Sequence, residues 1–164
     1  MKNQLIMFVI LCFTFFACQK DETPIINSLV GKWNVTELQF SGYTQKDSTV
    51  KATNLSIEFD ACDADKNNTT TSGCSVFITE NGVRTQLVYQ VQASKDAGNT
   101  VYLNGIGSSN VTNTPAYQQV LQKWSNGYDI LESGDNKLVI KRKYNCSQSN
   151  GVNQCDYMKV TASR

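Results

Sequence analysis

Ser28-Leu29-Val30-Gly31-Lys32-Trp33-Asn34-Val35 is the stretch on which the fold turns. A short docking segment gives way to a glycine, and a tryptophan two residues on opens a run of β-favouring side chains. Side chains alternate along a strand with a period of two, so Trp33 and Val35 share a face. The pattern predicts a first strand over Lys32 to Phe40. Leu38 and Phe40 join the face of Trp33 only if an extra residue bulges out near Thr36-Glu37.

Further along, period-two runs separated by turn residues predict seven more strands. Leu55 to Phe59 aligns Leu55, Ile57 and Phe59, and Ser75 to Glu80 stops at Asn81-Gly82, a strong hairpin signal. Arg84 to Ala93 places Leu87, Tyr89, Val91 and Ala93 on one face. Thr100 to Ile106, Tyr128 to Glu132, Lys137 to Tyr144 and Asp156 to Ala162 complete the set, the last aligning Met158, Val160 and Ala162. One segment breaks the rhythm. Tyr117, Val120, Leu121 and Trp124 recur at helical spacing, Thr114 can cap, Pro115 suits a first helical position and Gly127 can terminate, which predicts a short amphipathic helix.

Upstream, Gln19 to Asn27 is polar apart from Ile25 and Ile26 and contains Pro24, and reads as a short tether that docks near its end. Before it, Lys2 precedes an apolar run from Leu5 to Phe16 interrupted only by Thr14. That run is shorter than the roughly 18 to 20 residues a membrane span needs. A basic start, a short apolar core and the small residue Ala17 describe a cleaved export signal. With Cys18 at the cut it resembles a bacterial lipoprotein signal, although Phe15 stands where such signals usually carry Leu. The resemblance implies residues 1–17 as signal, 18–27 as lipidated cysteine and tether, and 28–164 as one domain. Cys18 would carry the lipid (palmitate among its acyl chains), on the outer membrane or cell surface of a Gram-negative envelope. Cysteine parity agrees: of 6 cysteines, Cys12 leaves with the signal and Cys18 takes lipid. Cys62, Cys74, Cys146 and Cys155 remain, an even set fit for disulfides in an exported protein.

Losing Lys2 from 15 Lys plus Arg brings the basic count level with the 14 Asp plus Glu. A neutral chain argues against nucleic acid and against an anionic membrane surface as partner. The basic triplet Lys141-Arg142-Lys143 falls on a predicted strand whose residues face opposite ways in turn. There is no histidine, so the commonest general base, a favoured zinc ligand and the common hydrolase triad are all absent. No Cys-x-x-Cys dithiol occurs, and Glu37, Glu58 and Glu132 show no pairing for acid–base work. Asp60, Asp63, Asp65 and Asn67 crowd the first cysteine loop, and Asp63-x-Asp65-x-Asn67 matches the opening of a calcium loop, yet Asn68 replaces its glycine and Cys74 its closing glutamate, so the loop reads as solvated. No catalysis, cofactor or metal is expected.

Many short strands, one late helix and Gly31-Lys32-Trp33 at the start of the first strand resemble the lipocalin-like calycin barrels, over roughly Ser28 to Arg164. The family's threonine-aspartate-tyrosine motif is missing. The resemblance implies an all-β fold: an eight-stranded antiparallel up-and-down barrel with one short helix near its mouth. It implies that Trp33 closes the narrow end beneath Arg164, which keeps phase with Met158, Val160 and Ala162. Under that topology, Ser41 to Asn54, Asn81-Gly82, Gly107 to Gly127 and Asn145 to Cys155 are mouth connections. Strand order then favours pairing Cys62 with Cys74 and Cys146 with Cys155. Candidate ligand contacts are Phe40, Leu87, Tyr89 and Leu103 on the wall, with Tyr117, Leu121 and Trp124 as a lid. The expected function is a lipid-anchored, monomeric envelope protein that binds one small apolar or amphipathic ligand. The alternative is an interaction module with a filled barrel, which meets protein or glycan through its mouth loops.

Overall fold

The computed structural model describes residues 22–44, 46–62, 74–94, 96–106, 114–149 and 152–164. Two helices and nine strands occupy them: α1 (Thr23–Leu29), β1 (Gly31–Gly42), β2 (Ser48–Lys51), β3 (Leu55–Phe59), β4 (Cys74–Glu80), β5 (Val83–Ser94), β6 (Gly98–Asn104), α2 (Pro115–Trp124), β7 (Asn126–Ser133), β8 (Lys137–Ser149) and β9 (Val152–Ser163). Each strand from β3 onward pairs antiparallel with the next, β1 pairs β3, and β9 returns to β1. Eight strands therefore close into an up-and-down barrel, which removes the edges an open sheet would expose. The closed all-β fold expected from the sequence is the one observed.

The bulge in β1 is present. The β1–β9 register slips between Val35 and Glu37, and Trp33, Val35 and Leu38 are all buried, with Phe40 half-buried beyond them. Ile57, Phe59, Leu87, Val91, Leu103, Leu138, Ile140, Met158 and Val160 turn inward and are buried, and Ile130 is half-buried against them. Asn81 and Gly82 take φ of +51° and +84°, the paired positive values that match a two-residue hairpin turn to strand twist.

Three elements differ from the sequence expectation. First, α1 replaces most of the expected tether. Pro24 lies in its first turn, Val30 N–H closes onto the Ile26 carbonyl at 3.1 Å, and Ile26 and Leu29 are fully buried. Second, β2 is an outer strand that takes the upper half of β1, from Glu37↔Lys51 to Phe40↔Ser48, while β3 takes the lower half. All four β2 side chains are exposed, so main-chain bonding and not burial makes it a strand. Third, within Asn145 to Cys155 the described residues, 145–149 and 152–155, are strand where a loop was expected. β8 and β9 stay paired past a bulge between Tyr144 and Ser147, with Asn145 at φ +48°, and run on as a ribbon beyond the last β1–β9 pair, Gly42↔Asp156.

α1 lies beneath one end of the barrel. Trp33 Nε1 donates to the Leu29 carbonyl at 2.7 Å, and Ser28 Oγ bonds Ser133 Oγ at 2.9 Å, which ties the helix across to β7. The Arg164 guanidinium lies 4.1 Å from the Trp33 ring centroid and donates to the Val30 carbonyl at 2.6 Å. Gly31 sits under that guanidinium at φ +117°, a conformation L side chains resist. A disulfide joins Cys62 to Cys74 at the β3–β4 connection, Cα–Cα 5.5 Å. This is the closed end.

Candidate functional site: the barrel mouth

The opposite end is covered by α2. Thr114 Oγ1 accepts from Tyr117 N–H at 3.2 Å, satisfying one of the free N–H groups of the first turn, and Pro115 starts the helix without needing a donor. The amphipathic spacing turns Val120 and Trp124 into the barrel. Two contacts hold the helix down. Lys123 Nζ pairs with Glu80 of β4 at 2.6 Å, and the Tyr117 hydroxyl accepts from Ile106 N–H at 3.2 Å. Gly105 leaves room for Leu121, whose Cδ2 would stand 3.1 Å from an added Cβ.

Beneath α2, Trp124 is fully buried, and its Nε1 has no hydrogen-bond partner among the described residues. Its carbonyl accepts from the Tyr128 hydroxyl at 3.1 Å. Burial pushes the Tyr128 phenol far above its ordinary range, and the nearby Arg142 charge opposes part of that shift. Arg142 is the middle of the basic triplet. It keeps phase with Leu138 and Ile140 and pairs with buried Met158, so the strand turns it inward. Its guanidinium lies 6.0 Å from the Tyr128 ring centroid and 5.2 Å from that of Tyr144, and its buried Nε has no partner among the described residues. Burial, then the Asp156 charge, raises the Tyr144 phenol, again with Arg142 opposing.

Asp156 fastens the rim. It is 1% exposed and accepts from Thr44 N–H at 2.8 Å, from the Thr44 hydroxyl and from Asn145 Nδ2 at 3.4 Å. β1 reaches this carboxylate only because residue 42 is glycine, since a Cβ there would stand 2.4 Å from Asp156 Cα. Next to it, Cys146 and Cys155 bridge the β8–β9 ribbon, Cα–Cα 4.1 Å.

The candidate residues from the sequence divide between the two ends. Tyr117, Leu121 and Trp124 come together on α2, Leu103 is buried on β6 where it pairs with Asn126 at the start of β7, and Phe40 lines the upper part of β1 opposite Met158. Tyr89 belongs to the closed half, edge-on to Phe59 with centroids 5.1 Å apart and its hydroxyl on the Asp60 carbonyl at 2.8 Å. Leu87 is buried opposite Val76 of β4. Gly31, Trp33 and Arg164 meet at the closed end, while Cys18, Asp63, Asp65 and Asn67 lie outside the described residues. Sequence reasoning missed Tyr128, Arg142 and Asp156. Phase alone points to Arg142, because it sits two and four residues beyond Ile140 and Leu138.

Two clefts lie outside the barrel wall. One, of about 630 Å³, runs between α2 and the β4–β5 turn and includes Glu80 and Lys123; the other, of about 750 Å³, lies at the break between β2 and β3. Among the described residues, no three metal-ligating side chains cluster and no helix is long and apolar enough to cross a membrane.

No protein-family model matches this sequence, and no curated protein matches it. Among solved structures, the chain is similar to a lipocalin-like protein from Bacteroides uniformis, with 11% identity and a TM-score of 0.45 over 84% of this chain and 99% of that one.

Proposed function

We propose that this is a lipid-anchored envelope protein whose barrel holds one small amphipathic ligand beneath α2 and carries out no chemistry on it. The observation that carries the reading is the buried Trp124 Nε1, a donor without a partner inside an apolar wall. A buried N–H left unbonded costs about 1–3 kcal/mol, so the site is energetically incomplete as it stands. A ligand with an acceptor group would complete it. The short α2, held by Lys123–Glu80 and by the Tyr117 hydroxyl, covers that end of the barrel.

The anchor reading rests on the Met1 to Cys18 sequence and fits the position of α1. Thr23 lies five residue steps after Cys18, a length of chain that spans at most about 18 Å when extended. The closed end would then face the bilayer and the mouth would face away from it, toward ligands arriving from the aqueous side.

Native mass spectrometry of the protein purified from the cell envelope tests the ligand. The expected result is one small-molecule adduct that is lost on unfolding; a bare mass from every preparation counts against it. Intact mass reads the lipid on Cys18, and Cys18→Ser should abolish membrane fractionation. The interaction-module reading has one observation in its favour: the β8–β9 ribbon stands beyond the barrel, stiffened by Cys146–Cys155.

A further inference from the structure

We propose that the cleft at the break between β2 and β3 is a glycan site on the outer wall of the barrel, separate from the mouth. Strand alternation decides which side chains reach it. Trp33, Ile57 and Ile78 are fully buried and lie in register on β1, β3 and β4. Their neighbours Asn34, Ser56 and Thr79 therefore point outward. Asn34 pairs with Ser56 and Ser56 with Thr79, which sets one amide and two hydroxyls in a row across three strands, in steps of about 5 Å. Asn54 and Asn81 stand beside that row, joined by the Asn81 N–H to Asn54 carbonyl bond at 3.0 Å. All five side chains line the cleft.

Ser56 is the telling member. Although it faces outward it is only 7% exposed, and no hydrogen bond engages its hydroxyl among the described residues. The side chains of Asn34, Asn54, Thr79 and Asn81 are likewise unbonded among the described residues. A hydroxyl enclosed by its neighbours and bonded to none of them calls for a partner from the cleft. Asn, Ser and Thr each donate and accept, and none carries charge. A sugar hydroxyl does the same, so such a cluster can bond a polyhydroxylated ring in either sense. Val35, Ala52 and Leu55 add an apolar strip that suits the C–H face of a ring. Among the described residues that line the cleft only Lys32 is charged, which favours a neutral ligand over an ion. The volume of about 750 Å³ lies within the range of small-molecule sites.

Titrating the full ¹⁵N-labelled chain with maltose, cellobiose, chitobiose and mannobiose tests the site through its side-chain amide signals. At least one disaccharide is expected to shift the carboxamide signals of Asn34, Asn54 and Asn81, with a Kd of about 1 mM, the value of about four neutral hydrogen bonds. Both tryptophan indole signals should stay in place. Ser56→Ala should weaken that binding about fivefold, the worth of one such bond, and Asn34→Ala should do the same. If Ser56→Ala does not fold, the isosteric Thr79→Val carries the test, with weaker binding supporting the site and unchanged binding overturning it. No shift with any of the four sugars, shifts confined to the Trp124 indole, or binding untouched by Ser56→Ala and Asn34→Ala overturns the glycan site, and none of these results removes the ligand reading of the mouth.

Discussion

Each end of the barrel is built around one tryptophan and one arginine, and the two pairs differ in how completely they are bonded. At the closed end, Trp33 Nε1 reaches the Leu29 carbonyl and Arg164 reaches the Val30 and Ser28 carbonyls while covering the Trp33 ring. At the mouth, Trp124 Nε1 and Arg142 Nε are buried atoms and have no partner among the described residues. The same residue types are thus used for stability at one end and left open at the other. A fold can carry a few unsatisfied groups of this kind when the rest of the core supports them, and each calls for an explanation.

The largest expected effect is at the bonded end. Trp33→Ala removes a fully buried indole and should lower stability by about 3–5 kcal/mol in urea unfolding. A loss under about 1 kcal/mol would remove Trp33 from its place as the closing residue. At the mouth, Gly42→Ala drives a Cβ into the Asp156 backbone and should cost about 1–3 kcal/mol. A neutral outcome would mean that the rim yields freely and that Asp156 does not hold it.

The two tryptophans can be compared directly by changing each to phenylalanine. Trp33→Phe gives up a made hydrogen bond and strands the Leu29 carbonyl, at a cost of about 1–3 kcal/mol beyond lost packing. Trp124→Phe gives up a donor that had no partner, so it should cost clearly less than Trp33→Phe. Equal costs would erase the contrast between the ends.

The smallest effect is alkaline. Burial raises the Tyr128 phenol above its unfolded value near 10, so the folded chain holds that proton more tightly. The associated stability is complete below about pH 10 and declines as pH rises past it. Tyr128→Phe should therefore lose less stability than the unaltered chain between about pH 9 and 11. Identical declines would show that Tyr128 is not the group responsible.

Most of the barrel was legible because its signals are local and repeat. Alternation located the eight wall strands, Asn81-Gly82 marked a hairpin, and the misphasing of Val35 and Leu38 required the bulge that the β1–β9 register shows. The cysteine pairs followed once strand order was assumed. The misses have physical causes. Pro24 suggested a chain break, yet it suits a first helical turn, and Ile26 and Leu29 share a buried face of α1. β2 buries nothing, so burial periodicity cannot reveal it. Tyr144 looked like a strand end because the bulge that follows interrupts the alternation. The basic triplet was read as a strand whose residues face opposite ways in turn, but the phase of Arg142 with buried Leu138 and Ile140 was not followed through to an inward Arg142.

The contrast between the two indoles is open to direct observation. The chain has two tryptophans, so a ¹⁵N spectrum of the full chain carries two indole N–H signals, one from each end of the barrel. As a small amphipathic probe with an acceptor group, such as hexanoate, is added, the Trp124 signal should shift while the Trp33 signal, fixed on the Leu29 carbonyl, stays in place. A Trp124 signal that does not move, or a Trp33 signal that moves with it, would contradict a mouth left open for a ligand above a closed and fully bonded base.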